Sequence, residues 1–303
     1  MAEIADRKWL GILLALASYA LYTLHYATMK WLGGDYSLWQ LIFLRSAAML
    51  AITLVLGRKA TLRAFAASPH KLPTAIRGAL QFLSALCFYK AANALPLADV
   101  TTLYSTAPLI IVVFSMLLLK EKVGLAHGLA VALGLVGTVV AAGPSIDTAG
   151  LPVLYALGSA LFWALTVVLT RKSGARESTD VQLFTTSLVF LVLSLGFLEW
   201  RSPVSLVDLA LMAAIGLQIY LAQLCFFEAC RFAPASVVGP MEYSSLVWAA
   251  LFGYLLFADI PTIPVFAGAA LVIIAGLLLT LGLPSNRKPS AMAAKTEALD
   301  AEA

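Results

Sequence analysis

The chain has 303 residues, of which 61% are hydrophobic and 12% charged, and it carries a formal net charge of +4. A soluble domain has about 25% charged residues, and folded soluble surfaces need polar cover, so a water-soluble fold is excluded and lipid is the natural solvent. The small, unevenly placed positive charge fits membrane orientation and argues against nucleic acid as a partner.

A membrane-spanning helix needs about 20 mainly apolar residues. Taken in chain order, such runs predict helices at about 9–31, 37–56, 72–94, 98–118, 124–142, 151–170, 180–199, 206–229, 235–257 and 262–282. The first starts at Trp9, is too long for a signal h-region and ends without a small-residue cleavage site, so it reads as a membrane helix. Connections are short, the longest expected loop running from Gly57 to Lys71. Residues 283–303 have nothing to bury and are expected to form a disordered cytoplasmic tail. Cys87, Cys225 and Cys230 sit in or beside apolar segments with no zinc or redox spacing, and read as small apolar residues.

Lys and Arg fix the expected orientation. With the N-terminus inside, the cytoplasmic side receives Arg7, Lys8, Arg58, Lys59, Arg63, Lys71, Lys120, Lys122, Arg171, Lys172, Arg176, Arg231, Arg287, Lys288 and Lys295. Only Lys30, Lys90 and Arg201 fall near the outer side, while Arg45 and Arg77 lie within segments. This predicts a multi-pass protein of the cell (inner) membrane with both termini cytoplasmic.

The chain also repeats itself. Leu86-Cys87-Phe88-Tyr89-Lys90-Ala91 recurs as Leu224-Cys225-Phe226-Phe227-Glu228-Ala229, and the same register carries Pro96 to Pro234 and Glu121 to Asp259. The first helix maps onto the sixth through Ser18 to Ser159, Tyr22 to Trp163, Lys30 to Arg171 and Gly33 to Gly174. Five helices per half is odd, so the second half must be inverted in the membrane, as in many secondary transporters. The expected fold is therefore an all-α integral membrane protein of ten transmembrane helices in two inverted five-helix repeats, residues 1–142 and 151–282.

Leu95-Pro96-Leu97-Ala98, Tyr104-Ser105-Thr106-Ala107-Pro108, Leu118-Leu119-Lys120-Glu121-Lys122 and the glycines 128, 134 and 137 resemble the fourth and fifth helices of the EamA domain. Phe43-Leu44-Arg45 resembles that family's second-helix arginine. The resemblance covers residues 9–282 as two EamA halves. It implies a transporter of the drug/metabolite transporter superfamily, with ten helices, both termini inside and a central substrate cavity. The second half departs from the pattern: Asp259 replaces the glutamate, Leu246 replaces the proline, and Ser187 lies near the Arg45 equivalent.

Polar side chains inside lipid are costly, so a polar stripe on a spanning helix marks a candidate site. Ser18, Tyr22, His25 and Met29 share one face of the first helix, and Ser159, Trp163, Thr166 and Thr170 share the equivalent face of the sixth. Thr101, Tyr104, Ser105 and Pro108 form such a face on the fourth helix, answered on the ninth by Gly239, Glu242, Tyr243 and Leu246. These faces would line one cavity across the pseudo-dyad; the competing reading is that they bond each other between packed helices. Glu242 stands out, because a carboxyl within an apolar segment could bind a substrate amine or exchange a proton. The bland alternative is a helix-terminus carboxyl near water at Gly239-Pro240.

The expected substrate-binding residues are Tyr22, His25, Gln81, Tyr104, Trp163, Gln218, Glu242, Tyr243, Ser244 and Trp248. Gln218 is preferred to Gln223 because the two are five residues apart and Gln218 lies deeper in its segment. Arg77 is expected to snorkel to the cytoplasmic interface, and Arg45 to cap carbonyls or pair structurally. Lys90 and Glu228 read as interfacial anchors, and Trp9, Trp31, Trp39 and Trp200 as an interfacial aromatic belt. The glycines at 124, 128, 134, 137, 268 and 276 suit close helix packing, within a half or in a homo-oligomer.

The aromatic, weakly charged cavity suits a small amphipathic or ring-bearing metabolite better than a phosphorylated one. The resembled family includes amino-acid exporters and vitamin or cofactor carriers. The favoured expectation is export of neutral or aromatic amino acids by alternating access; import of riboflavin or a similar cofactor is the rival within the class. An intramembrane enzyme is disfavoured by the lack of any catalytic or metal motif, and a channel by the lack of a filter-like loop. The expected partners are a small-molecule substrate, the bilayer and protons through Glu242, with no cofactor and no metal.

Overall fold

The computed structural model describes residues 8–32, 36–92, 94, 100, 103–121, 123–142, 150–174, 177–199, 206–257 and 263–281. These are almost entirely helical. The helices are α1 (Lys8–Leu32), α2 (Leu38–Ala67), α3 (Lys71–Ala92), α4 (Ala107–Leu119), α5 (Leu125–Ala142), α6 (Leu151–Gly174), α7 (Thr179–Leu195), α8 (Leu206–Phe232), α9 (Ala235–Val238), α10 (Ser245–Phe257) and α11 (Ile263–Leu281). The side chains of Lys30, Trp31 and Arg58 lie outside the described residues. So do Arg7, Gly33, Pro96, Thr101, Lys122, Arg176, Trp200, Arg201, Asp259 and the whole tail from residue 282.

Among the described residues, four helices are long and apolar enough to cross a membrane: α1, α2 over Leu38–Gly57, α6 and α8. Four shorter apolar helices accompany them, at Ala107–Leu119, His127–Val140, Thr179–Leu195 and Ile263–Leu278. The solvation pattern is that of a membrane protein. Large apolar side chains such as Leu13, Leu117, Val192, Leu255 and Ile273 face outward, while Arg77, His25, Gln40 and Gln182 are among the most completely buried.

Three elements depart from the sequence expectation. The expected loop after residue 56 is helical as far as Ala67. Arg58, Lys59, Ala60 and Leu62 are good helix formers, and the helix stops only where Pro69 forces Ser68 into an extended conformation. The expected ninth helix is not continuous either. α9 gives way to a 3-10 turn at Gly239–Ser244 before α10 begins. Pro240 supplies no N–H and its ring displaces the preceding turn, while Gly239 is a poor helix former. The first half is interrupted at the corresponding place: Leu103 and Tyr104 are helical, Ser105 and Thr106 turn, and α4 starts with Pro108 in its first turn.

Packing follows the repeat. α1 packs on α8 as α3 packs on α6; α1 meets α10 as α4 meets α6; and α2 meets α8 as α3 meets α7. Exchanging the halves turns each pair into its counterpart, while α2–α7 and α5–α11 map onto themselves. Individual bonds repeat as well. Ser37 and Ser178 each accept the N-cap bond of the helix that follows. Ser18 Oγ donates to the Ala222 carbonyl at 2.9 Å, and Ser159 Oγ to the Ser84 carbonyl at 2.8 Å. Of the α5 glycines expected to pack helices closely, Gly134 and Gly137 make such contacts between the halves. A Cβ on Gly137 would meet the Gly268 carbonyl oxygen at 2.8 Å, and one on Gly134 would meet the Tyr243 ring at 2.3 Å. Gly124, Gly128 and Gly276 have nothing within 4 Å of such an atom.

Candidate functional site

The middle of the bundle is an aromatic cluster with one carboxyl. Tyr22 of α1 stands edge-on to Trp163 of α6, its repeat equivalent, with ring centroids 6.2 Å apart. Trp163 stacks on Phe226 of α8 at 5.4 Å, and Tyr19 and Tyr22 both meet Phe226 edge-on. The Trp163 indole N–H donates to Glu242 Oε2 at 2.9 Å, and the Tyr104 side chain hydrogen-bonds the same carboxyl. Tyr104 and Glu242 are also repeat equivalents, so each half contributes one member to both pairs at the pseudo-dyad. The interruption of the fourth helix in each half is what carries these two side chains inward. Glu242 is buried in the 3-10 turn that precedes α10. Tyr243, next to it, donates its hydroxyl to the Ser105 carbonyl at 3.1 Å.

The remaining expected residues fall in different places. His25 lies one turn beyond Tyr22 and meets Arg45 of α2, Arg45 Nη1 to His25 Nε2 at 2.6 Å. A guanidinium has only donors, so His25 accepts through Nε2 and carries its proton on Nδ1. Arg45 thus pairs with a side chain and has no carbonyl partner among the described residues; its guanidinium also lies 5.6 Å from the Phe190 ring centroid. Gln81 is buried on α3 with its amide oxygen unpartnered, on the face where Ser84 meets Ser159. Ser244 Oγ and Trp248 Nε1 are also unpartnered, but the Trp248 ring stacks on Phe252 along α10, apart from the Tyr22–Trp163 cluster. Lys90 lies over the Tyr155 ring, and Glu228 holds Thr179 and Arg231.

The structure corrects one reading. Arg77 does not snorkel. It is completely buried, lies 4.7 Å from the Phe227 ring centroid, and donates to the Gln182 carbonyl and to Thr186 Oγ1. A position near one end of an apolar run says nothing about what packs over it, and here α7 and α8 close over the guanidinium. The two glutamines of α8 lie in different surroundings. Gln223 is buried and lines a small cavity, whereas Gln218 is half-buried with its amide reaching Thr28 Oγ1 at 3.4 Å. Five residues rotate about 140° around a helix, and the face that α8 turns toward α2 and α7 carries Ile219 and Gln223.

That cavity is bounded by Arg45, Ser46 and Met49 of α2, Thr186, Ser187 and Phe190 of α7, and Ile219 and Gln223 of α8. It encloses about 10 Å³, room for about one water. Arg45 lines it together with Ser187, which lies near the Arg45 repeat equivalent. Sequence reasoning placed neither Tyr19, Phe226, Arg77 nor Gln223 among the site residues. Phe226 carried a signal, since it lies in the repeated Leu-Cys-Phe motif; Tyr19 sits beside the face that was read.

A helical membrane protein of two matching halves, polar inside and apolar outside, with its distinctive groups gathered where the halves meet, has the construction of a small-molecule transporter. The chain belongs to the EamA-like transporter family, which matches residues 9–143 and 150–281, and with it to the drug/metabolite transporters. It is 26% identical over 274 residues to the pseudopaline exporter CntI of Pseudomonas aeruginosa (strain UCBPP-PA14), covering 89% of this chain and 95% of the exporter. A riboflavin transporter of Vibrio cholerae is 28% identical over 202 residues, covering 64% of this chain and 66% of its own. An S-adenosylmethionine uptake transporter of Rickettsia bellii is 25% identical over 255 residues, with 82% and 86% covered. A solved crystal structure of a 20% identical protein shares the fold, with a TM-score of 0.74 over 96% of this chain and 100% of the other. The relatives are named as transporters, not enzymes.

Proposed function

We propose that this protein is a secondary transporter that exports neutral or aromatic amino acids across the inner membrane by alternating access. The observation that carries the reading is the buried Glu242 carboxyl held by Trp163 and Tyr104 within a wall of Tyr19, Tyr22 and Phe226. A carboxylate among aromatic faces suits an organic ammonium group, through charge pairing and cation–π attraction, and the rings suit an apolar or aromatic side chain. The substrate-binding set is Tyr22, Tyr104, Trp163, Glu242 and Tyr243, with His25 and Gln81 on the neighbouring faces. Gln218, Ser244 and Trp248 are secondary members. The relatives named for pseudopaline, riboflavin and S-adenosylmethionine support a nitrogen-rich or ring-bearing cargo in general, and the exporter is aligned over most of both chains.

In this reading the chain crosses the membrane ten times as two inverted halves, 1–142 and 151–282, with both termini and the 283–303 tail cytoplasmic. The distribution of Lys and Arg supports it, as does the exchange symmetry of the helix packing. Transport is driven by a gradient, with Glu242 as the proton-coupling group; the α5–α11 glycine contact is spent inside one chain, which leaves Gly124, Gly128 and Gly276 for any contact between copies.

The test is counterflow in proteoliposomes preloaded with unlabelled candidates and supplied with labelled neutral and aromatic amino acids, then riboflavin. Saturable exchange of an amino acid, lost in Trp163→Ala, is expected. Uptake of riboflavin with no amino-acid exchange refutes the substrate assignment. Glu242→Gln is expected to transport without pH dependence, and an unchanged pH profile removes Glu242 from coupling.

A further inference from the structure

Two guanidiniums lie inside this bundle with only neutral partners. Arg45 is 8% exposed and Arg77 is 0% exposed. The ion pairs among the described residues are Arg171–Glu121 and Arg231–Glu228, and neither buried arginine takes part. Arg45 donates to the His25 ring, and Arg77 to the Gln182 carbonyl and the Thr186 hydroxyl. Each keeps donors in hand: Arg45 Nε, and Arg77 Nε and Nη1, are buried with no hydrogen-bond partner. An ion buried without an opposite charge is among the costliest arrangements in a protein core. Polar and ionisable groups retained at such depth mark function.

Arg45 lines a small cavity from α2, and Arg77 reaches the wall of that cavity through Thr186, which accepts from it. The Gln223 amide oxygen in that wall is buried and unpartnered too. α2 and α7 form one of the two contacts that map onto themselves when the halves are exchanged, so the cavity lies where the halves meet.

The geometry points to an anion subsite between α2, α3 and α7, in which Arg45 and Arg77 receive the carboxylate of the transported metabolite. This rests on the substrate reading above, which gives the ammonium end to Glu242. The planar fork of a guanidinium matches the two oxygens of a carboxylate. In the present conformation His25 Nε2 is the acceptor of Arg45; an arriving carboxylate takes its place. The cavity has room for about one water, so the carboxylate enters as α2, α7 and α8 part.

The experiment is thermal unfolding of the detergent-purified full chain with benzoate or with benzamide, which share a ring and differ in charge. Benzoate is expected to raise the Tm of the wild type above the benzamide value in a saturable way. Arg45→Gln and Arg77→Gln should weaken half-saturation by benzoate about tenfold or more and leave the benzamide response unchanged. Arg45→Lys, which keeps the charge without the fork, should retain part of the difference. Equal responses of the wild type to benzoate and benzamide overturn the subsite, whether or not the glutamine variants can be purified. So does a difference that survives intact in both variants. Counterflow separates this from the substrate reading. Benzoate selectivity without amino-acid exchange removes the amino-acid assignment and leaves the anion subsite standing; amino-acid exchange without benzoate selectivity does the reverse.

Discussion

The bond between Trp163 and Glu242 sets up a measurable charge effect. The indole N–H meets Oε2 at 2.9 Å with both side chains buried. A hydrogen bond to an ionised carboxylate contributes about 1.5–3 kcal/mol, and one between neutral groups about 0.5–1.5 kcal/mol. Trp163→Phe removes the donor but keeps a ring to stack on Phe226, now 5.4 Å between centroids. Glu242→Gln keeps an acceptor of nearly the same shape and removes the charge. Trp163→Phe should therefore cost about 1 kcal/mol more in the native background than in Glu242→Gln. The assay is reversible SDS-driven unfolding in mixed micelles at alkaline pH, where the carboxyl is ionised, followed by circular dichroism for the wild type, both single variants and the double variant. A coupling within about 0.3 kcal/mol of zero is what independent sites give. It would refute a charged indole–carboxylate bond as the organising contact of the site. Trp163→Ala in the same assay should cost about 3–5 kcal/mol, because it also removes the buried ring.

Gly134→Ala should destabilise by about 1–3 kcal/mol, since its Cβ would lie 2.3 Å from the Tyr243 ring and displacing that ring breaks its bond to Ser105. Gly128→Ala, on the same helix with nothing within 4 Å, should be neutral or stabilise by up to about 1 kcal/mol; equal effects of the two in a denaturation series would refute the close-approach account. Glu121→Ala should cost about 1–2 kcal/mol, because both carboxylate oxygens accept from the start of α9, from Ala235 N and Ser236 N at 3.0 Å each. Limited proteolysis near residue 235 reads that loss, and unchanged cleavage counts against the cap. Arg77→Met should leave stability within about 1 kcal/mol of wild type or raise it, because a buried cation without a counter-ion is replaced by an apolar side chain of similar length. A loss above about 3 kcal/mol would show that Arg77 is held for structure.

The repeat register was legible because each half buries the same faces. Ser18 with Ser159, Tyr22 with Trp163 and Tyr104 with Glu242 are matched in the sequence, and in the fold Tyr22 meets Trp163 and Tyr104 meets Glu242. Glu242 could be singled out because a lone carboxyl in an apolar run has few cheap places to go.

Hydrophobicity alone determined that this chain is a helical membrane protein, since a helix satisfies its own backbone in lipid and the long apolar runs record it residue by residue. What the tertiary structure decided is which polar groups share a space. Periodicity gives the face of a helix but not the neighbour that covers it, so Arg77 read as an interfacial side chain until α7 and α8 closed over it, and it is the rotation of α8 that brings Gln223 to the cavity wall. The break at Gly239–Ser244 belongs to both levels: Gly-Pro weakens the helix locally, while the packing of Trp163 and Tyr104 on Glu242 fixes where the freed turn points.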